Sequence, residues 1–172
     1  ISPSCTTVPG GRTSTLTTTA TNAASYLWST SETTANITTP AVVSAGTPTY
    51  TVTATAANAC TASASVTLTE VTALAGTYAI PGTGCTDFAT IAASVIYMNT
   101  YGIAGAVTFN VAGGHTETAN PLTNGIVMTA TGTSTNTITY QKSGAGANPK
   151  VTAFGGGTGT SSSATPNGIW SL

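Results

Sequence analysis

Charged side chains are what this sequence has least of. They make up 4% of its 172 residues, against about a quarter in an ordinary globular domain. The basic residues Arg12, Lys142 and Lys150 are too few and too scattered to form a phosphate-binding surface. Nucleic acid is therefore not an expected partner. The same scarcity excludes the basic amphipathic helix of a membrane-surface protein, and no apolar run reaches the 18 or so residues of a membrane-spanning helix, so membrane insertion is not expected.

Groups that could carry out chemistry are equally scarce. The sequence has one histidine, and His115 and Glu117 are its one ionisable pair at a spacing that puts both on one face of a strand. This pair would be half of a metal site, but no third ligand is near it in the sequence. We therefore favour a solvent-facing pair beside a turn. The thiol of Cys85 has no neighbouring base, so we expect it to bond to a cysteine outside this chain or to lie buried, and rank a role as nucleophile third. No catalytic, cofactor-binding or metal-binding residue is predicted.

Glycine-rich stretches do not change that prediction. The runs "AGG" at 112–114 and "GGG" at 155–157 lack the Lys-Ser/Thr of a P-loop and do not begin a helix. They are typical of turns.

Hydroxyl and small apolar side chains take the place of charge. Threonine alone is about a quarter of the chain, and hydrophobic residues reach 40%. Such a composition favours β-strands over disorder, which usually comes with high net charge and few β-branched residues. With so few charges to repel neighbouring molecules, hydroxyls must hydrate the surface. This suits an extracellular protein or one built to assemble better than a cytosolic enzyme.

The first module, residues 1–72, is predicted to be a β-sandwich. Short runs with a period of two are separated by Gly-, Pro-, Asn- and Ser-containing turns. In residues 49–56, for example, an apolar face alternates with a threonine face, as a sandwich requires. The predicted strands lie in "TSTLTTTA", "SYLWST", "ANITT", "TYTVTATA" and "SASVTLTEV".

Two aromatic residues are assigned to the core of this module. Trp28 lies in a run of Ser and Thr that could belong to a strand, a linker or a sugar-binding patch. A sugar-binding tryptophan is more often one of several aromatics on an open face, whereas aromatics here are 6% of the chain and scattered singly. We therefore assign Trp28 to the structural core, with Tyr50 nearby.

These residues also carry a resemblance. The stretches "YLWSTSETTANITT" and "AGTPTYTVTATAANACTASASVTLT" resemble the Ig-like/PKD-like repeats of large secreted surface proteins of Bacteroidota. The resemblance implies a disulfide between Cys5 and Cys60, and hence an oxidising compartment. Ser31 and Ala59 stand where the repeats usually have glycine, so we expect those turns to differ slightly.

The second module, residues 74–172, begins with the one convincing helix of the sequence. Within "TDFATIAASVIYMNTYG", apolar residues recur at spacings of three and four, which predicts one buried face. Thr86 or Asp87 is the expected N-cap, and Gly102 is expected to end the helix. The predicted buried face consists of Phe88, Ile91, Ala92, Val95, Ile96 and Met98.

Strands and loops of irregular length follow the helix, which predicts the helix-capped first coils of a right-handed parallel β-helix. The stretches "LAGTYAI", "FATIAASVIYMNTYGIAGAVTFNVAGGHTETANPL" and "NTITYQKSG" resemble the opening of the pectate-lyase-like β-helix regions found in the same secreted proteins. Ala106 and His115 replace a proline and an aromatic of that pattern. Because "GIWSL" stops in mid-strand, we expect that more protein follows or that another chain covers that end.

The sequence therefore predicts an all-β chain with a structural or adhesive role and no catalysis: a stalk, spacer or filament-forming segment of a secreted bacterial surface protein. The resemblance implies type IX secretion and location at the extracellular bacterial cell surface. No cofactor is expected. Expected partners are further domains of the same polypeptide, neighbouring copies, and possible glycans or cell-surface components. Two alternatives are the N-terminal part of a polysaccharide lyase or hydrolase with its active site beyond residue 172, and a carbohydrate-binding module.

Overall fold

The computed structural model describes residues 1–118, 126–152 and 170–171. The described part of the chain is mostly β, with 46% of those residues in strands and one short helix. The all-β prediction is confirmed at this level. The glycine run at 155–157 and most of "NGIWSL" lie outside the described residues. The chain divides into two compact units, residues 1–72 and 73–172, and each is described by itself.

The first unit contains eight strands, all short except the β6–β7 hairpin. The five predicted runs each contain a strand. One sheet has the order β1-β3-β5, another has the order β4-β6-β7, and both are antiparallel; β2 and β8 form a parallel pair. The strands are β1 Ser2–Pro3, β2 Thr7–Pro9, β3 Thr15–Thr17, β4 Ala23–Trp28, β5 Asn36–Thr38, β6 Thr49–Ala56, β7 Thr61–Thr67 and β8 Thr69–Val71.

The sheets of the first unit share one apolar core. Trp28 and Tyr50 both belong to it, with 2% and 7% of their surface exposed. The indole Nε1 of Trp28 donates to the carbonyl oxygen of Thr34 at 2.9 Å, so the buried ring keeps its one polar group paired. The core comprises Val8, Leu16, Trp28, Ile37, Val42, Tyr50, Val52 and Leu68.

The turns at Ser31 and Ala59, where glycine was the residue expected, have a glycine-like backbone. Ser31 has a φ of 78° and Ala59 a φ of 66°, both in the left-handed region. Each closes a tight turn, with Ser31 N donating to Trp28 O and Ala59 N to Ala56 O, both at 2.9 Å. Each of these two residues therefore has a backbone conformation that costs an L-residue about 1 kcal/mol or more.

The predicted disulfide between Cys5 and Cys60 is wrong. Cys60 is a free, exposed cysteine, and the disulfide joins Cys5 to Cys85. The physical reason lies in the hairpin: Cys60 sits at the β6–β7 turn, where its carbonyl accepts from Ala56 N at 2.8 Å. Cys5 follows β1, which belongs to the other three-stranded sheet, and its backbone N–H donates to Ser14 Oγ at 3.1 Å.

The second unit is built from parallel strand pairs. The sheet order is β13-β10-β9, and β11 pairs with β14 and β12 with β15, all in parallel. From β10 onward each strand therefore pairs with the strand three places later in the chain. The elements are β9 Leu74–Ile80, α1 Ile91–Tyr101, β10 Ile103–Ala112, β11 Thr116–Thr118, β12 Ile126–Val127, β13 Ile138–Ser143, β14 Lys150–Thr152 and β15 Trp170–Ser171.

The helix begins later than predicted. Thr90 is the N-cap, and its side chain accepts from Ala93 N at 3.0 Å, so the expectation of a cap at Thr86 or Asp87 is wrong. Asp87 instead holds the preceding loop, accepting from Ala79 N at 2.9 Å and Gly84 N at 3.1 Å. Gly102 ends the helix, as predicted, with a φ of 75°.

The helix covers the core of the second unit with one face. Phe88, just before the helix, and Ile91, Val95 and Met98 within it are buried, as the spacing predicted. Ile96 is 59% exposed, so its assignment to the buried face is wrong. Edge-to-face and stacked rings fill the space between helix and sheet, with Phe88 and Phe109 at a centroid distance of 5.8 Å. The buried core residues are Leu74, Ile80, Phe88, Ile91, Val95, Tyr97, Met98, Val107, Phe109, Val111 and Ile126.

Candidate functional site

The histidine and the glutamate singled out from the sequence meet at the N-terminus of α1. His115 directly precedes β11, and Glu117 lies within it. His115 Nε2 is 2.8 Å from Glu117 Oε2, so the predicted pairing is present. The predicted exposure is wrong, since the two side chains are only 8% and 6% exposed.

Glu117 is buried because it caps the helix. Its Oε2 accepts from Ile91 N at 2.7 Å and its Oε1 from Ala92 N at 3.0 Å. With Thr90 accepting from Ala93 N, three of the N–H groups that a helix leaves unpaired at its start have side-chain partners. A carboxylate is favoured at this end of a helix because the N–H groups give it a partial positive charge. Glu117 therefore joins β11 to α1 across 26 residues of sequence.

His115 contacts Glu117 with its ring and Lys150 with its backbone. Its ring bonds the oxygen of Glu117 that already accepts from Ile91, and its carbonyl accepts from Lys150 N at 2.8 Å. Among the described residues, no three His, Cys, Asp or Glu side chains come together as a metal site would require. The pair is therefore placed to orient the helix start, with both carboxylate oxygens already engaged.

A second buried polar contact lies one turn along the same helix. Ser94 Oγ donates to the carbonyl oxygen of Ile91 at 2.7 Å and lies 2.8 Å from Tyr140 Oη. Burial raises the pKa of Tyr140 to about 12; the bond with Ser94 opposes the rise, and the charge of Glu117 adds to it. The ring of Tyr140 stacks on Phe109 at a centroid distance of 4.6 Å. Tyr140 is thus a neutral hydrogen-bonding residue that joins β13 to α1.

Asn99 makes a comparable contact at the other end of the helix, and sequence reasoning did not single it out. Its Oδ1 accepts from Thr129 N at 2.9 Å and Ala130 N at 3.0 Å, and its Nδ2 donates to Val127 O at 2.7 Å. One side chain thereby satisfies three backbone groups at the end of β12 and just after it. An available signal was the "NTYG" at the helix end, where asparagine precedes the terminating Gly102 by three residues.

The first unit offers a surface rather than a cluster of ionisable groups. An open groove of about 230 Å³ is bordered by small apolar side chains of β6 and β7, and Tyr26 is the aromatic residue among those that line it. On the opposite face of β6 and β7, the pairs Thr49–Thr67, Thr51–Ser65 and Thr53–Ser63 form hydroxyl–hydroxyl bonds of 2.8, 2.7 and 2.9 Å. The groove lining consists of Ile1, Thr18, Thr19, Ala20, Tyr26, Val52, Ala54, Ala62, Ser63 and Ala64.

Comparison with known proteins identifies no relative. No family model matches the sequence, and neither a curated protein nor a solved structure matches it. Within the described residues, no helix combines the length and the apolar character needed to cross a membrane.

Proposed function

We propose that this chain is a structural segment of a large secreted bacterial surface protein. In this proposal, residues 1–72 form an Ig/PKD-like β-sandwich, and the second unit forms the helix-capped first coils of a right-handed parallel β-helix. The chain serves as a stalk or spacer and carries out no catalysis.

The observation that carries the proposal is that the polar side chains around α1 in the second unit are engaged in contacts between elements. Glu117, His115, Ser94, Tyr140 and Asn99 each bond to another element or complete such a bond. An active site usually contains ionisable groups with perturbed pKa values that are not needed by the fold. Here the raised pKa of Tyr140 keeps it neutral, and the carboxylate of Glu117 is occupied by helix amides.

The strand pairing of the second unit supports the solenoid part of the proposal. The parallel pairs β10–β13, β11–β14 and β12–β15 repeat at an interval of three strands. Three strands per coil is the arrangement of a parallel β-helix, in which each coil pairs with the next. The helix α1 packs its buried face on the same core, as a terminal cap does.

The disulfide and the surface chemistry support an extracellular location. A disulfide between Cys5 and Cys85 is typical of oxidising compartments. The outer face of β6 and β7 is hydrated by serine and threonine instead of charged residues. Secretion as type IX cargo, attachment to the cell surface, and contacts with further domains of the polypeptide or with surface glycans complete the proposal.

The experiment that tests the proposal measures cleavage of polysaccharides and binding of glycans. The oxidised chain is assayed against a panel of acidic and neutral polysaccharides and on a glycan array, beside a His115→Ala variant. We expect no cleavage by either protein and no selective glycan binding. Cleavage that disappears in His115→Ala would overturn the proposal in favour of an enzyme. Selective binding that disappears in Tyr26→Ala would favour the carbohydrate-binding module, with the groove of the first unit as its site.

A further inference from the structure

The strand β7, residues 61–67, has one edge that no described strand covers. It is the outermost strand of the sheet β4-β6-β7, and residues 61–65 are all exposed. Exposed edges are usually protected by charged residues, proline or a bulge. The sequence "TASASVT" contains no charge and no proline, and its register with β6 runs without a shift from Thr61 to Thr67. This edge is therefore open to another strand.

The pairing with β6 determines which backbone groups point outward. Ala56 N donates to Cys60 O at 2.8 Å, and Leu68 N donates to Pro48 O at 3.0 Å. Hydrogen-bonded pairs alternate along antiparallel strands, so the even-numbered residues between them also bond to β6. The N–H and C=O groups of the odd-numbered residues therefore point to the open edge. These residues are Thr61, Ser63, Ser65 and Thr67.

We propose that β7 pairs with β7 of a second copy of this chain, in an antiparallel register centred on Ala64. The strand reads nearly the same in both directions from that residue, with Thr61 matched by Thr67 and Ser63 by Ser65. In this register each outward-pointing residue lies opposite another outward-pointing residue of the second copy. The four pairs exchange about eight backbone hydrogen bonds. A register shifted by one residue would instead place outward-pointing groups opposite inward-pointing ones.

The side chains fit the same register. Small or hydroxyl-bearing side chains lie opposite one another. Like charges placed opposite one another would oppose the pairing, and this strand has no charged residue. The hydroxyl pairs Thr53–Ser63 and Thr51–Ser65 already cross from β6 to β7 at 2.9 and 2.7 Å. In the dimer the hydroxyl face continues across the two-fold axis, and the two sheets become one sheet of six strands. The inference concerns the first unit alone and does not depend on the proposed function.

Cys60 provides the test, because it is free, exposed and directly precedes β7. In the proposed register it lies opposite Leu68 of the second copy, eight positions along the strand from the other Cys60. At the rise of a β-strand the two Cys60 Cα atoms are about 27 Å apart. The full oxidised chain is labelled with a nitroxide at Cys60, and the distance between labels is measured by pulsed electron resonance. We expect a dimer in sedimentation equilibrium and a distance distribution centred near that value.

The variants Ser65→Pro and Ser65→Lys alter the open edge without removing a backbone hydrogen bond between β6 and β7. Both also remove the exposed side-chain bond of Ser65 to Thr51. Proline deletes an outward N–H in each copy, so we expect the dissociation constant to rise by about 30-fold. Lysine places a charge on the edge, and Ser25→Lys is the matched control, since β4 is the opposite edge of the same sheet. Thermal unfolding verifies that each variant folds; if Ser65→Pro does not, Ser65→Lys decides.

Four outcomes would overturn the inference. They are a monomer at the highest attainable concentration, an oligomer larger than a dimer, a label distance far from about 27 Å, and loss of association in Ser25→Lys but not in the Ser65 variants.

Discussion

The β6–β7 hairpin of the first unit and the N-terminal half of α1 in the second unit use polar side chains in opposite ways. In the first unit the serine and threonine pairs of β6 and β7 are exposed and link strands of one hairpin. In the second unit the contacts of Glu117 with Ala92 and of Ser94 with Tyr140 are partly buried, and they join residues 25 and 46 positions apart. An exposed bond that water can replace contributes little to stability, whereas a buried group left unpaired costs the full desolvation penalty. We therefore expect the polar surface of the hairpin to tolerate substitution and the partly buried contacts of α1 not to tolerate it.

The largest expected effect concerns the disulfide, because Cys85 is bonded and Cys60 is free. We expect Cys85→Ser to lower the free energy of unfolding by about 4 kcal/mol, because it reopens a loop of about 80 residues. Cys60→Ser is the matched control and is expected to change stability by less than about 0.5 kcal/mol. Denaturant unfolding measures both, and peptide mapping without reduction identifies the bridge. A neutral Cys85→Ser with a destabilising Cys60→Ser would restore the pairing of Cys5 with Cys60.

The next effect tests the buried carboxylate against the exposed hydroxyls. We expect Glu117→Ala to destabilise the chain by about 3 kcal/mol, because the partly buried amides of Ile91 and Ala92 lose their hydrogen-bond acceptor. Thr51→Val removes an exposed hydroxyl bond to Ser65 and is expected to cost less than about 0.5 kcal/mol. Denaturant midpoints give both values. Equal losses in the two variants would remove the distinction between the hairpin surface and the start of α1.

A pH effect follows from Tyr140. Its folded-state pKa of about 12 lies above the usual 10.0, so the folded chain holds the phenol proton more tightly than the unfolded chain. The stabilisation is fully present below pH 10 and is lost as the pH rises from there to about 12. It amounts to about 3 kcal/mol.

Comparing Tyr140→Phe with the unaltered chain isolates this contribution. We expect the alkaline loss of stability to be smaller in the variant but not absent, because burial also raises the pKa values of Tyr50 and Tyr78. Denaturant unfolding at intervals through the alkaline range is the measurement. Identical curves for the two proteins would show that the Tyr140 hydroxyl is not buried in the fold.

The smallest effect concerns the two left-handed turn residues of the first unit. We expect Ser31→Gly and Ala59→Gly each to raise the free energy of unfolding by about 0.5–1 kcal/mol, because glycine adopts a positive φ without steric cost. Ala57→Gly, in the same turn as Ala59, is the control and is expected to lower stability by a similar amount. Thermal unfolding measures all three. A stabilising Ala57→Gly would show that the gain does not come from backbone conformation.

Local patterns in the sequence were sufficient for the strands but not for contacts between distant segments. The period-two runs predicted the positions of β3 to β6, because alternation of side chains between two faces is a property of the strand itself. The last run, residues 63–71, was predicted as one strand and is divided between β7 and β8. The helical spacing predicted α1 and its end at Gly102. It did not identify the first turn, because Asp87 and Thr90 both precede apolar residues, and the loop that uses Asp87 is formed by contacts with Ala79 and Gly84.

The disulfide and the burial of the His–Glu pair were beyond such patterns. Sequence spacing indicated that His115 and Glu117 share a face, but it carried no information on what that face meets. The N-terminus of α1, 25 residues earlier in the chain, is what makes the position buried. The position of Cys60 at an exposed hairpin turn likewise follows from strand pairing rather than from spacing.

Amide hydrogen exchange at Ile91 and Ala92 is the most direct test of the structural role of the pair. In the unaltered chain both amides are bonded to the Glu117 carboxylate, so they are expected to exchange slowly. In Glu117→Gln we expect their exchange to accelerate by about tenfold or more, since one amide loses its acceptor, while amides in the β6–β7 hairpin are unchanged. Fast exchange of both amides in the unaltered chain would contradict the account, because the carboxylate would then be available for another purpose.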